Sequence, residues 1–379
     1  MKIVLFGGTF DPVHSEHVKL AKGALRELSP DKLIILPAFI PPHKAGAAAP
    51  AEDRLNMARI AFAFDERIEV SGYEMERGGN SYSYLTVGHF RSLYPDAEIT
   101  FLIGGDSFFD FERWVHPEII AAESRIAVVS RGEFTEKLMA RNAEFERTHG
   151  YRAKILSFTG DATSSTFIRF ALMLGLNVNL PDGISEYIVK KGLYRGGEMF
   201  DYISAHLKEK RLIHTAGVIE CALSLNRQLG LDRNKVITAC ALHDVAKYMH
   251  PSDFPSFKKT GEMPNSVVHA FLGEHVAREV LGITDEDVLS AIRYHTTGRA
   301  AMTDLEKLVY TADLLERSRD YPGVDKLRKL TNENFEVGFC ECMRQGYKHL
   351  KQMMMPGGVY HLTIEAYEYY KNKNPLKHA

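Results

Sequence analysis

The sequence predicts an α/β domain built on a parallel sheet, followed by an all-α domain. Three observations carry this reading. Apolar runs of strand length alternate with helical patterns from Met1 to about Arg195. Beyond that point strand signals stop, while amphipathic helical spacing continues to the C-terminus. The chain of 379 residues exceeds one ordinary domain and suits two of about 150–200 residues each. Helical repeats weaken at Lys190-Lys191-Gly192-Leu193-Tyr194-Arg195-Gly196-Gly197, which places the boundary between residues 1–196 and 197–379.

In the first half the strand-like runs are Ile3–Phe6, Leu33–Leu36, Ile68–Val70, Ile99–Ile103, Ile126–Val129 and Ile155–Phe158. Their alternation with helices argues for βαβ units and right-handed crossovers in a Rossmann-like parallel sheet. Ligands in such sheets sit at the carboxyl ends of the strands, so the segments after those ends should hold the chemistry. Neither the G-x-G-x-x-G dinucleotide fingerprint nor the Walker P-loop is present. The phosphate grip must be of another kind.

The first strand runs into Gly7-Gly8-Thr9-Phe10-Asp11-Pro12-Val13-His14-Ser15-Glu16-His17. Two glycines let the backbone turn sharply and approach a ligand. After Pro12, apolar residues Val18, Ala21, Ala24 and Leu25 recur at helical spacing, so a helix opens near His14. Its free N–H groups and positive dipole end face the glycine turn and form an anion site. His14 and His17, three residues apart, share one helix face and point at the same phosphate. A second phosphate grip lies at Thr163-Ser164-Ser165-Thr166-Phe167-Ile168-Arg169. N-capping accounts for one or two of its hydroxyls, but Arg169 in the first helical turn works against the dipole unless an anion sits between them.

This combination, with Pro41-Pro42-His43-Lys44 after the second strand and the Ser-Ser-Thr-x-Ile-Arg run, resembles the T/HxGH nucleotidyltransferases, and within them the nicotinate-nucleotide adenylyltransferases. Where the family pattern reads His-x-Gly-His, this chain has Glu16 in place of the glycine, a carboxylate that repels phosphates unless it turns away. The resemblance implies transfer of adenylate from ATP to nicotinate mononucleotide, with Mg²⁺ offsetting phosphate charge. It places ATP on Gly7, Gly8, Thr9, Phe10, His14, His17, Gly104, Asp106, Ser165, Thr166 and Arg169, of which His14, His17 and Arg169 are catalytic. The pyridine nucleotide falls to Lys44, Thr86, Trp114 and Arg131. Trp114, the only tryptophan, stands open between core packing and stacking on the pyridine ring. Lys44 reads equally as a solvated loop lysine when the resemblance is set aside.

In the second half each apolar stripe contains an ionisable residue: His214 with Val218, Cys221 and Leu225; His243 and Asp244 after Val236 and Cys240; His269 before Leu272 and Val276; His295 after Val288 and Ile292; Asp313 after Leu305 and Val309. One buried histidine is ordinary. A buried carboxylate costs several kcal/mol, on the order of a lost salt bridge, unless paired or metal-bound. Four histidines and two aspartates on inward faces therefore point to a shared metal site. The arrangement resembles the HD-domain phosphohydrolases. It implies one metal on His214, His243, Asp244 and Asp313, and a second on Asp244, His269 and His295. Imidazole and carboxylate ligands suit iron or manganese, with zinc possible, and ligand type does not choose among them; iron is the first expectation. The runs Ala291–Arg299 and Ala312–Asp320 look like the bacterial HD enzymes that cut diadenosine tetraphosphate symmetrically to ADP. That analogy has Asp244 and Lys247 acting on the reaction and Arg319 on substrate phosphates, while both cations also read as plain surface charges. His250 and His275 fall outside the ligand set and are expected to be exposed.

Hydrophobic content of 45% and charged content of 25% are those of a soluble globular protein. A net charge of −2 argues against a nucleic-acid polymer as partner. No run approaches the roughly 18 apolar residues of a membrane span. The chain opens directly on a core strand, so a cytoplasmic protein without a secretory leader is expected. The four cysteines (Cys221, Cys240, Cys340, Cys342) lack C-x-x-C spacing and read as buried, reduced thiols. A homo-oligomer is compatible with all of this. Two further readings share the fold: adenylyl transfer to another phosphate ester beside an HD nucleotidase, or a metal domain that senses nucleotides without cutting them.

Overall fold

A computed structural model describes residues 1–41, 47–130, 135–159, 163–258, 263–353 and 358–373. The chain forms two compact units, one of Met1–Arg169 with Val178–Arg195, the other of Phe170–Asn177 with Gly196–Ala379.

In the first unit the strands are β1 (Lys2–Gly8), β2 (Lys32–Pro37), β3 (Ile68–Val70), β4 (Glu98–Gly104), β5 (Arg125–Ser130) and β6 (Lys154–Thr159). All pair in parallel, in the order β3-β2-β1-β4-β5-β6. The apolar runs make this possible: Ile3, Leu5, Leu33, Ile34 and Ile35 are fully buried, as strands covered on both faces must be. Around the sheet lie α1 (Ser15–Leu28), α2 (Ala51–Ala61), α3 (Tyr73–Arg77), α4 (Ser83–Leu93), α5 (Gly105–Phe109), α6 (Pro117–Glu123), α7 (Thr135–His149), α8 (Ser165–Met173) and α9 (Ile184–Lys191). Strand order reverses at β1, whose neighbours are β2 and β4, so the crevice beyond the ends of β1 and β4 is where a ligand fits.

One buried side chain fastens the loops around that crevice. Arg54 of α2 is 1% exposed and donates to four backbone carbonyls: Thr9 (2.8 Å), Ala38 (2.5 Å), Phe39 (3.0 Å) and Ala49 (3.2 Å). Burial pulls its guanidinium pKa down, and the charges of Asp11 and Glu74 oppose that shift. Arg54→Ala should leave these carbonyls unsatisfied and destabilise the first unit by about 3 kcal/mol or more. A lower midpoint in thermal unfolding is the readout.

The second unit is helical: α10 (Gly197–His206), α11 (Glu209–Leu225), α12 (Arg233–Leu242), α13 (Asn265–Glu279), α14 (Glu286–Tyr294), α15 (Asp304–Leu315), α16 (Val324–Glu333), α17 (Phe335–Gln352) and α18 (His361–Tyr370). Side-chain caps start several of them. Asp232 accepts from Lys235 N, Asp285 from Asp287 N and Val288 N, and Thr303 forms a capping box with Glu306. The cores of α11, α12, α14 and α15 are apolar and fully buried at Val218, Ile219, Cys240, Ile292 and Leu308. His243 and His295 occupy the positions just after α12 and α14, not the helical faces expected from their spacing. Cys240, Cys340 and Cys342 are buried free thiols, whereas Cys221 is only partly covered.

Candidate functional site

The first site is assembled from segments distant in sequence. Beyond β1, Gly8 leaves room for the Phe10 ring, whose Cζ lies 2.9 Å from where a Cβ would sit. Phe10 has positive φ (49°), and the chain then enters α1 with His14 extended at the N-cap. His14 is the cap itself, not a residue of the first turn. The His14 backbone N–H donates to His17 Nδ1 at 3.2 Å, which leaves the proton of a neutral His17 ring on Nε2. The two rings lie 3.8 Å apart between centroids, and Phe10 meets His17 edge-on at 4.9 Å. Glu16 is buried and pairs with Lys19 Nζ at 2.9 Å, so its charge is met within the helix.

The remote motif reaches the same loop. Ser165 Oγ donates to the Pro12 carbonyl (3.1 Å), and Arg169 Nη1 donates to the Asp11 carbonyl (2.6 Å) while Nη2 reaches Thr166 Oγ1 (3.1 Å). Thus His14, His17, Ser165, Thr166 and Arg169 come together across about one hundred and fifty residues of chain (|i−j| of 153 for Ser165 to Pro12). Asp11, which the sequence reading passed over, accepts from Ala48 N, Ala49 N and Tyr194 Oη. Burial and the Asp11 charge push the Tyr194 phenol far up.

Between the ends of β1 and β4 lies a cavity of about 150 Å³, lined among others by Gly7, Gly8, Glu74, Ser81, Gly104 and Trp114. Trp114 is half-buried against Phe111 (5.5 Å) and Phe101 (6.3 Å), so it both packs on the core and faces the cavity. Thr86 is buried behind this wall and donates to Glu74 at 2.7 Å. Asp106 is exposed at the start of α5. Lys44 and Arg131 lie outside the described residues.

In the second unit the six expected ligands converge. Among the described residues, ligand atoms of His214, His243 and Asp313 lie within 4.8 Å of one another, as do those of His243, Asp244 and His295. His269 Nε2 is 3.1 Å from Asp244 Oδ1. His243 Nδ1 donates to the Cys240 carbonyl and His295 Nδ1 to the Ile292 carbonyl, both at 2.7 Å. These bonds fix the tautomers and leave bare Nε2 atoms aimed inward. Asp244 Oδ1 is buried without a well-formed hydrogen bond among the described residues. Burial alone would raise the Asp244 carboxyl, but His243, His269 and His295 override it and hold it well below the usual carboxylate range. Asp313 is held down in the same sense against burial, first by the His214 hydrogen bond and further by the Arg319 guanidinium. Burial lowers His243 and brings His269 to about 4, so both imidazoles are neutral at ordinary pH. Neutral imidazoles at His243 and His269, ionised carboxylates and an orphaned carboxylate oxygen fit a divalent cation.

Three cations border this cluster. Lys247 Nζ lies 3.0 Å from His269 Nε2, Arg319 Nη2 donates to Asp313 Oδ1 at 2.5 Å, and Arg211 Nη1 donates to Asp244 Oδ2 at 2.6 Å. Arg211 was not anticipated, although it stands three residues before His214 on one helix face. Glu316 was also missed, by the same spacing from Asp313. It is fully buried and accepts from His214 Nδ1 at 3.0 Å, turning His214 Nε2 toward the cluster. Helix α11 admits it at Gly217, where a Cβ would lie 2.5 Å from Glu316 Oε2. Glu316→Ala should weaken metal affinity about 10–100-fold, as read by metal titration. His250 is exposed as expected, whereas His275 is half-buried beside Ser256 Oγ at 3.0 Å.

Comparison with known proteins agrees with both halves. The cytidylyltransferase-like family matches residues 5–169 and the HD domain matches residues 211–318. A probable nicotinate-nucleotide adenylyltransferase/Ap4A hydrolase of Mycoplasma genitalium is 27% identical over 349 residues, covering 89% of this chain and 95% of the relative. A probable nicotinate-nucleotide adenylyltransferase of Clostridium tetani is 32% identical over 198 residues, covering 51% of this chain and 99% of the relative. The crystal structure of a predicted HD superfamily hydrolase involved in NAD metabolism from Clostridium acetobutylicum is 32% identical, covering 46% of this chain and 96% of its own, with a TM-score of 0.41. With a phosphate cradle in one unit and an inward-facing histidine–aspartate cluster in the other, the chain belongs to the nicotinate-nucleotide adenylyltransferase family and carries an HD domain behind its nucleotidyltransferase half.

Proposed function

We propose that the protein is bifunctional. Residues 1–196 join ATP to nicotinate mononucleotide, giving nicotinate adenine dinucleotide and pyrophosphate, and residues 197–379 hydrolyse diadenosine tetraphosphate symmetrically to ADP. The observation that carries the first assignment is the docking of Ser165 and Arg169 onto the Asp11–Pro12 carbonyls beside His14 and His17.

The nucleophile is the 5′-phosphate of the mononucleotide, so no residue need form a covalent bond. Its oxygen attacks the α-phosphorus of ATP and pyrophosphate leaves. His17 gives its Nε2 proton to a phosphate oxygen as a hydrogen bond, with His14 stacked beside it on the α- and β-phosphates. Thr9 positions the α-phosphate, and Ser165, Thr166 and Arg169 hold the β- and γ-phosphates. Ala48, Ala49 and Tyr194 already engage the Asp11 carboxylate, and Mg²⁺ would supply positive charge against the phosphates. Lys44, Trp114 and Arg131 serve the pyridine nucleotide, Thr86 acts from behind the wall through its bond to Glu74, and Gly104 and Asp106 lie on the ATP side.

In the HD unit, His214, His243, Asp244 and Asp313 would hold one cation, and Asp244, His269 and His295 would hold a second, with iron favoured over manganese or zinc. Such cations supply Lewis-acid charge to a phosphoanhydride and make water acidic. Glu316 and the two backbone carbonyls orient the imidazoles, and Arg211, Lys247 and Arg319 face the substrate's phosphates. No described helix is long and apolar enough to cross a membrane, and we place the protein in the cytoplasm. The test is product analysis. ATP with nicotinate mononucleotide should yield nicotinate adenine dinucleotide, and metal-loaded protein should convert diadenosine tetraphosphate to ADP alone. ATP plus AMP as the hydrolysis products would overturn the symmetrical assignment.

A further inference from the structure

The cavity between β1 and β4 contains a group that the adenylyl-transfer mechanism leaves unused. Glu74, on α3, is 6% exposed and lines the cavity on which Trp114 also opens. Thr86 and Ser81, the hydroxyls nearest to it, do not present free donors to a ligand. Thr86 is 1% exposed and its proton goes to Glu74 Oε1 at 2.7 Å. Ser81 Oγ accepts from Phe39 N at 2.8 Å, and its own proton also turns to Glu74. Ser83 and Ser107 add hydroxyls to the lining, and Glu74 is the one ionisable group among the residues that line the cavity.

A carboxyl in a small cavity discriminates by its protonation state. As the neutral acid it donates to an anion. Once ionised it repels an anion but still accepts from an amide N–H. Burial raises the Glu74 carboxyl above its ordinary value. The hydroxyls of Ser81 and Thr86, Arg77 on its own helix and Arg54 on α2 pull the other way without cancelling the rise.

We propose that Glu74 is the specificity-determining residue for the pyridine substituent: its neutral acid donates to a 3-carboxylate, and its ionised form excludes that carboxylate while tolerating a 3-carboxamide. This deepens the assignment of the first unit as a pyridine-nucleotide adenylyltransferase and rests on it. Because the neutral form is present below the Glu74 pKa and lost above it, preference for the carboxylate should be greatest at low pH and should fall as pH rises. The mononucleotide phosphate, which titrates near about pH 6, is common to both ligands and cancels in the ratio.

Trp114 makes the test direct, since it is the only tryptophan in the chain and borders the cavity. Its emission is titrated with nicotinate mononucleotide and with nicotinamide mononucleotide between about pH 5 and about pH 8. In the full-length protein the ratio of the two affinities should move toward the amide by about tenfold for each pH unit above the Glu74 value. Glu74→Gln should make that ratio independent of pH. Thr86→Val, which removes a donor that lowers Glu74, should shift the midpoint to higher pH and keeps the test decisive if the Gln variant does not fold. A ratio that is flat with pH in the wild type, or a slope that survives Glu74→Gln, overturns the role of Glu74 and leaves the pyridine site standing. If neither mononucleotide alters Trp114 emission, the pyridine assignment of the cavity falls and takes this proposal with it.

Discussion

Replacing His17 with alanine should lower the turnover of adenylyl transfer by about 10²–10³-fold, the usual effect of removing one preorganised donor from a developing anion. The structure says why the loss should fall on turnover. His17 Nδ1 is held by the His14 backbone N–H, and Phe10 and His14 pack on two sides of the ring. Its Nε2 proton is thus positioned before substrate arrives. An interaction that strengthens as charge grows on the phosphates lowers kcat when lost, with little change in KM. The same substitution removes half of a capping box, a loss of about 1 kcal/mol at the start of α1. That is too little to unfold the sheet. The checks are initial rates of nicotinate adenine dinucleotide formation, with hydrolysis by the HD unit as a control for folding. Unchanged turnover would remove His17 from the mechanism.

Asp244→Ala should have the larger effect in the other unit. Six cationic or imidazole groups surround this carboxylate: Arg211 at 2.6 Å, His269 at 3.1 Å, Lys247 at 3.4 Å, His243 at 3.5 Å, His295 at 3.6 Å and His214 at 3.9 Å. Removing it takes away the one group that the proposed ligand sets assign to both cations. Metal content should fall, and hydrolysis should fall by more than the roughly 10–100-fold seen when only an outer partner is lost. Unfolding should also become easier by about 3–5 kcal/mol, because Arg211 and its neighbours are left without their counter-charge. Metal analysis, a hydrolysis assay and a thermal melt on the same preparation read these effects, and adenylyl transfer should be untouched. Full metal occupancy in the variant would refute the bridging role.

The residues show how much of this was legible in the chain. The strands could be read because a sheet buried on both faces needs uninterrupted apolar runs, and Ile3–Phe6 and Ile99–Ile103 leave little else to propose. The six clustered histidines and aspartates could be read because ionisable groups inside apolar stripes are costly and need a reason. What the sequence concealed were side chains that act on other side chains or on backbone. Arg54 looks like any helical arginine until its four carbonyls are in place, and they come from loops with no sequence pattern of their own. Glu316 and Arg211 were within reach, since i, i+3 spacing from Asp313 and His214 puts them on the same faces. Asp11 and Tyr194 are 183 positions apart, and no local rule joins them. Glu74 stands 12 positions before Thr86, and only the cavity lining, which includes Glu74 and not Thr86, shows which of the two faces the cavity.

The bonds from Ser165 to Pro12 and from Tyr194 to Asp11 have a consequence for how the protein is born. A ribosome adds about 5–20 residues per second, so the glycine turn emerges early and then waits many seconds for both partners. By the end of that interval a nascent chain already owns all six strands of the sheet but has nothing to close the proposed nucleotide cleft. Premature termination between β6 and α8 therefore yields a sheet without that closure, and such fragments offer chaperones and proteases a window that the finished protein does not.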